Sequence, residues 1–243
     1  MGTIIQMDRV SCIFPTAYFP PIAYLRAYFE QGGPLIESFE SFPKQTLRNR
    51  CEILTSNGVL RLSLPIKKIN GSKTFTKDIE IDYSTKWQSE HWRAIQSAYA
   101  AAPYFDDYGF KIKEIIYNSP SNLIDFNAKI LELVMEVLEI NASTKFSESY
   151  EMEYQLDHRN TDFLNRESIN SYQQVFSYDK EFTSNLSFLD LLLNEGPFMI
   201  NWILPRLAIV PIAAINPKKV SIIGITMKCM EKCPKMTMSF LVD

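Results

Sequence analysis

Residues 10–39 admit few arrangements. Val10-Ser-Cys-Ile-Phe14 is a short apolar run of strand-forming residues ended by Pro15, and Leu35–Phe39 is a second such run. Between them, Pro20 and Pro21 open a helix over Ile22–Glu30, because proline is tolerated in a first helical turn. Gly32-Gly33-Pro34 stops it. A strand, a helix and a strand so closely spaced fit a right-handed βαβ unit with a parallel strand pair. Ligands of such units sit at the carboxyl ends of the strands, here the loop Pro15–Pro20.

The next elements follow from turn chemistry and periodicity. Arg48–Thr55 and Val59–Ile66 flank Ser56-Asn57-Gly58, and Asn-Gly between alternating runs is a strong hairpin signal. Arg48 and Arg50 point to one face of the first arm, and Asn49, Cys51 and Ile53 to the other. Lys77–Tyr83 reads as a further strand, and Ser84 or Thr85 as the cap of a helix through Trp87–Phe105. On that helix Trp87, His91, Ile95, Ala98 and Ala102 form one stripe, while Glu90, Arg93 and Ser97 turn away. Helices are expected over Tyr108–Asn118, Leu123 to about Ile140, and, as an amphipathic element, Leu186–Asn194. Ser143–Asn170 is polar and reads as loop with short elements; Tyr172–Phe176 reads as a short strand. The expected fold is α/β, a mixed sheet with a βαβ start and a hairpin, and a helical second half packed against it. The chain is sheet-rich over 1–85 and helix-rich over 86–197, with 198–243 an atypical C-terminal extension.

Composition excludes some partners. A formal charge of −3 gives no basic footprint for nucleic acid. Asn201, Pro205, Arg206 and Pro211 interrupt the apolar run at 198–215, which argues against a membrane span. The four cysteines make no secreted disulfide framework, so the cytoplasm is expected. Cys12 and Cys51 fall on inward strand faces and read as packing residues. Neither a paired Cys/His spacing nor a Gly-rich phosphate loop is present, so no metal and no cofactor are expected.

Several segments, in order, resemble the WbqC-like family of bacterial surface-polysaccharide and O-antigen gene clusters. They are Tyr18-Phe19-Pro20 with Tyr24; Lys44 with Asn49-Arg50; Leu64-Pro65; and Trp87, His91, Tyr99 and Pro103-Tyr104-Phe105. Tyr172–Phe176, Asn185–Leu191 and Asn194–Pro197 continue the resemblance, which covers residues 8–197. The chain departs from the family in carrying Phe14-Pro15-Thr16 where many members have His-Gln-Pro. It also has Ser38 and Phe39 where an acidic pair is usual. The resemblance implies a transferase of surface-polysaccharide biosynthesis that moves an aminoacyl (glycyl) or acyl group to a sugar. The alternative is a non-enzymatic module binding a sugar nucleotide or a pathway partner. The implied small-molecule substrate is a sugar nucleotide or glycan precursor. The strand–loop–helix opening also resembles nucleotidyltransferases, but lacks their paired histidines.

Each candidate residue has a sharp and a bland reading. His91 is either a general base or a core histidine bonded to a backbone carbonyl. Lys44, Arg48 and Arg50 either grip a diphosphate or carboxylate or form a solvated basic edge, the latter favoured for Arg48. Asn49 either orients a substrate or satisfies a turn. Tyr18, Phe19, Tyr104 and Phe105 either stack on a sugar or pack the core, and the resemblance adds Tyr99 to the substrate-binding set. Asp157-His158-Arg159 reads as an exposed salt bridge and Asp190 as a solvated or capping residue.

Overall fold

A computed structural model of the chain describes residues 12–205, apart from 69, 119, 166–167 and 177–180. Most of the expected C-terminal extension, residues 206–243, and with it Cys229 and Cys233, lies outside the described residues. The expected βαβ opening forms: β1 (Cys12–Pro15), α1 (Ile22–Glu30) and β2 (Leu35–Glu37), with β1 and β2 parallel. The hairpin strands are β3 (Arg50–Thr55) and β4 (Gly58–Ser63), antiparallel about Ser56-Asn57. Gly58 at the turn has φ +106, a conformation glycine adopts freely. β5 (Ile66–Lys67) pairs with β6 (Glu80–Ile81), so the strand expected over Lys77–Tyr83 is reduced to two residues. A 3-10 turn at Thr76–Asp78 takes up its first part.

The helical half is α2 (Trp87–Tyr99), α3 (Phe105–Tyr117) and α4 (Leu123–Val137). Neither Ser84 nor Thr85 caps α2; Lys86 holds the cap position without a side-chain bond. Asn122 caps α4, its Oδ1 accepting from the Ile124 amide at 2.9 Å. β7 (Lys145–Phe146) and β8 (Leu156–Asp157) lie in the polar loop region, and α5 (Phe188–Glu195) and α6 (Ile200–Ile203) follow. Tyr172–Phe176 is not a strand, since its backbone makes no ladder. Nor is α5 amphipathic: Phe188 through Asn194 are all buried, and a helix covered on every side shows no polar stripe.

The α/β architecture is a four-stranded parallel sheet with two small antiparallel pairs and the helices around them. The parallel sheet runs β7-β2-β1-β8. In chain order that is third, second, first, fourth, so the order reverses between β1 and β8. A reversal of this kind leaves a crevice at the carboxyl ends of the two strands. The core is aromatic around β1, where Phe14 meets Tyr24 and Tyr28 edge-on at 5.4 and 5.5 Å. Edge-on contact sets the positive rim of one ring against the negative face of the next. The core continues past residue 197, with Met199 and Ile203 fully buried. Among the described residues, no helix is long and apolar enough to cross a membrane.

Two distant segments lock the first helix. Proline at 20 and 21 leaves the next amides of α1 without internal partners. The Ile22 amide donates to the Leu186 carbonyl at 3.1 Å, and the Ala23 amide to Asn185 Oδ1 at 2.9 Å. In return the Phe188 amide donates to the Pro20 carbonyl at 2.9 Å. Each helix start therefore satisfies the other.

Candidate functional site

The carboxyl edge of the parallel sheet gathers buried charge. Arg48 is 2% exposed and forms a two-pronged pair with Glu40, Nε to Oε1 at 2.6 Å and Nη2 to Oε2 at 2.8 Å. Its Nη2 also donates to the Arg159 carbonyl at 2.9 Å. Arg159 is buried as well, held by Asp157 at 2.6 Å and Glu37 at 3.2 Å, with the ring of Tyr150 4.8 Å away. Burial raises the Glu40 pKa while Arg48 opposes it, and the bond from Arg159 holds Asp157 below the usual carboxylate range. Two expectations are corrected here. Arg48 is not a solvated basic edge, and the expected Asp157–Arg159 salt bridge forms with its Asp157 end exposed but with the Arg159 guanidinium buried. Both guanidiniums are drawn inward by carboxylates on β2 or just beyond it, a long-range pairing that local pattern does not reveal. Glu37 and Glu40 flank the Ser38-Phe39 pair, and their place was the available signal.

α4 reaches the same edge. Asn127 Nδ2 donates to Thr16 Oγ1 at 3.1 Å and to the Arg48 carbonyl at 2.9 Å. Thr16 opens the loop Thr16–Pro20, in which Phe19 has φ +39, a strained conformation for an aromatic residue. That loop delivers Tyr18 to α2, where its hydroxyl lies 2.7 Å from His91 Nδ1.

His91 sits on the buried stripe the periodicity predicted, 6% exposed, with the ring of Trp87 5.5 Å away. Burial lowers its pKa from 6.5 to about 4, and a bond with the Ser63 backbone opposes the shift. With the Tyr18 hydroxyl assigned as the donor to Nδ1, the ring proton of the neutral imidazole is on Nε2. The imidazole is neutral at pH 7, with Nδ1 engaged by Tyr18. It is buried in the core as the bland reading expected, and it holds a tyrosine as that reading did not.

The remaining candidates are dispersed. Lys44 is exposed, and Arg50 is half-buried, its Nε enclosed with no hydrogen-bond partner among the described residues. Asn49 Nδ2 donates to the Leu64 carbonyl at 2.9 Å, tying the hairpin base together. Tyr99 is fully buried, accepting from the Leu54 amide at 3.1 Å and donating to Asp190 at 3.0 Å. Tyr104 is half-buried and packs over Gly196. Asp190 is neither solvated nor a cap: it is fully buried and also accepts from Tyr172 at 2.6 Å and Gln174 Nε2 at 2.8 Å. Burial raises its pKa against those three bonds. Cys12 and Cys51 are buried free thiols, and burial raises both pKa values, leaving them protonated packing groups. Among the described residues no cluster of His, Cys, Asp and Glu is arranged to hold a metal ion.

The model of the WbqC-like protein family matches residues 16–172. That span takes in the strained loop, the Arg48–Glu40 and Arg159–Glu37 pairs, and His91. The chain is 27% identical over 137 residues to "Uncharacterized protein Rv1507c" of Mycobacterium tuberculosis, across 56% of this chain and 55% of that one. It thus spans about half the length of the curated relative it matches. No solved structure matches it.

Proposed function

The chain belongs to the WbqC-like protein family, and from that premise we propose that it is a transferase of surface-polysaccharide assembly, working in the cytoplasm. The reaction is acyl or aminoacyl (glycyl) transfer to a sugar. A sugar hydroxyl or amine attacks the carbonyl of an activated acyl donor. The new C–O or C–N bond forms as the donor's bond to its leaving group breaks. The sugar's proton passes to the base and then to the leaving group.

The contact between Tyr18 and His91 carries the reading. A neutral imidazole accepts from a tyrosine at the head of a strained loop, on the carboxyl side of β1. The substrate's proton passes to the Tyr18 oxygen while the Tyr18 proton moves to His91 Nδ1, so the imidazole acts as base through the phenol. The substrate reaches Tyr18 by opening of the side chains that cover it, with the bond from Tyr18 to His91 kept. Lys44, exposed, and Arg50, with an unpartnered Nε, are the cations offered to the donor's phosphate or carboxylate. In this reading Asn49 holds the hairpin base beside Arg50, and Tyr99 and Tyr104 fix the positions of α2 and α5.

The test is incubation with thioester or acyl-adenylate donors and nucleotide sugars, reading the acylated sugar by mass spectrometry. Product is expected from the wild type and about 100-fold less from His91→Gln and Tyr18→Phe. Turnover and affinity both unchanged in His91→Gln would overturn the catalytic role. One observation favours the second reading, a binding module without turnover: His91 is buried and its Nδ1 is already engaged by Tyr18. Saturable sugar-nucleotide binding lost in Arg50→Ala, with no product from any donor, would establish it.

A further inference from the structure

A small cavity opens beside β1 and β2, between the sheet and α4. Its volume is about 10 Å³, room for one water-sized group. Thr16, Asn127 and Thr144 supply its polar lining, and Ile36, Leu131 and Phe146 its apolar wall. Asn127 is 3% exposed, and the Arg48 carbonyl fixes its amide orientation by requiring the Nδ2 donor. Its Oδ1 is therefore an acceptor, and it has no hydrogen-bond partner among the described residues; the same holds for Thr144 Oγ1. A buried acceptor left unpaired destabilises the fold, so it marks a position where a donor binds.

We propose that this cavity is a binding subsite for one hydroxyl arm of a neutral sugar, whose ring lies against Phe146 at the mouth. Three features select that chemistry. No charged residue lines the cavity, and at this edge of the sheet Glu40 is paired with Arg48 and Glu37 with Arg159. A phosphate or an ammonium ion would enter without a counter-charge. The unpaired groups are an amide oxygen and a hydroxyl, which suit an alcohol that both donates and accepts. Phe146 is 36% exposed on the edge strand β7, and its ring offers an apolar face to the C–H face of a sugar. As the acceptor subsite of the proposed transfer the cavity rests on that reading; as a sugar-binding site it does not.

The experiment is calorimetric titration of the full chain with D-glucose, N-acetylglucosamine and glycerol, and with inorganic phosphate as the charged control. The wild type is expected to bind the sugars and not phosphate. Thr144→Val keeps the shape and removes a hydroxyl that has no hydrogen-bond partner among the described residues. Its melting temperature is expected to hold or rise while sugar affinity falls about tenfold. Phe146→Ala is expected to weaken the sugars about tenfold and leave glycerol, which has no ring to stack, unaffected. A cavity that admits water alone, with no sugar saturating, overturns the proposal. So does tighter binding of phosphate, or sugar affinity unchanged in both variants. Sugar binding without acyl transfer defeats the proposed function and spares this subsite. Acyl transfer with wild-type KM in both variants does the reverse.

Discussion

The hydroxyl of Tyr18 donates to Nδ1 of His91 across 73 residues of chain, at 2.7 Å and away from solvent. The bond joins the loop after the first strand to the helix that carries the chain's aromatic stripe. Tyr18→Phe leaves a buried imidazole nitrogen without a donor, which destabilises the fold by about 1–3 kcal/mol. Urea unfolding at pH 7 measures it, and an unchanged midpoint would show that the bond contributes nothing in solution.

His91 also makes stability depend on pH. Its pKa falls from 6.5 to about 4 on folding, chiefly by burial. Between those values the unfolded chain binds a proton that the folded chain refuses, so this contribution is full above pH 6.5 and is lost as pH drops toward 4. The loss approaches about 3 kcal/mol, at roughly 1.4 kcal/mol per unit. Asp190 and Glu40, whose pKa values rise on folding, act in the opposite sense. The effect is therefore read as the difference between wild type and His91→Gln at pH 7 and pH 4.5. The gap between the two proteins is expected to narrow at the lower pH.

Asp190 accepts from three side chains and is fully buried. Asp190→Ala strands the hydroxyls of Tyr99 and Tyr172 and the amide of Gln174, so we expect a loss of about 3 kcal/mol or more. Asp190→Asn keeps one acceptor, and the hydroxyls can rotate to meet its amide, so its loss is smaller. Thermal melts of the two variants rank them, and equal melting temperatures would refute the network's role.

Arg48 and Glu40 form a buried pair with two parallel bonds. Arg48→Met leaves Glu40 facing the core without a counter-charge, at an expected loss of about 3–5 kcal/mol. Adding Glu40→Gln removes the stranded charge and is expected to recover part of that loss. Additive single effects in a double-mutant cycle would mean that the pair is not coupled.

Gly196 ends α5 at φ +57, and a Cβ built there would stand 2.5 Å from the Tyr104 ring. Gly196→Ala meets both backbone strain and a clash, and about 2–3 kcal/mol of destabilisation is expected. Tyr104→Ala in the same chain relieves the clash and leaves the strain. Circular-dichroism melts of the single and double variants separate the two terms.

Much of the fold was legible because its signals are local. Pro20-Pro21 before Ile22 and Gly32-Gly33 after Glu30 bound α1 by their own backbone restrictions. Asn57-Gly58 placed the hairpin in the same way, and the spacing from Trp87 to Ala102 chose the buried face of α2. The βαβ opening also led to the carboxyl edge of the sheet, where the proposed site lies. β7 and β8 were lost in a polar stretch because two-residue strands carry no periodicity, and only pairing with β2 and β1 makes them strands.

What the sequence by itself determined is therefore the βαβ opening, the hairpin, the main helices with the inward face of α2, and His91 as a half-hidden polar group among aromatics. Tertiary structure alone decided the fate of the charges. Arg48, Arg159 and Asp190 look like surface residues when read with their neighbours in sequence, because, Asp157 beside Arg159 apart, the partners that hold them inside lie 8 to 122 residues away. Burial of an ion or carboxylate is set by whether distant donors and acceptors converge on it, and chain order carries no local trace of that convergence. For the same reason the unpaired Asn127 oxygen becomes visible only once α4 has docked against the edge of the parallel sheet.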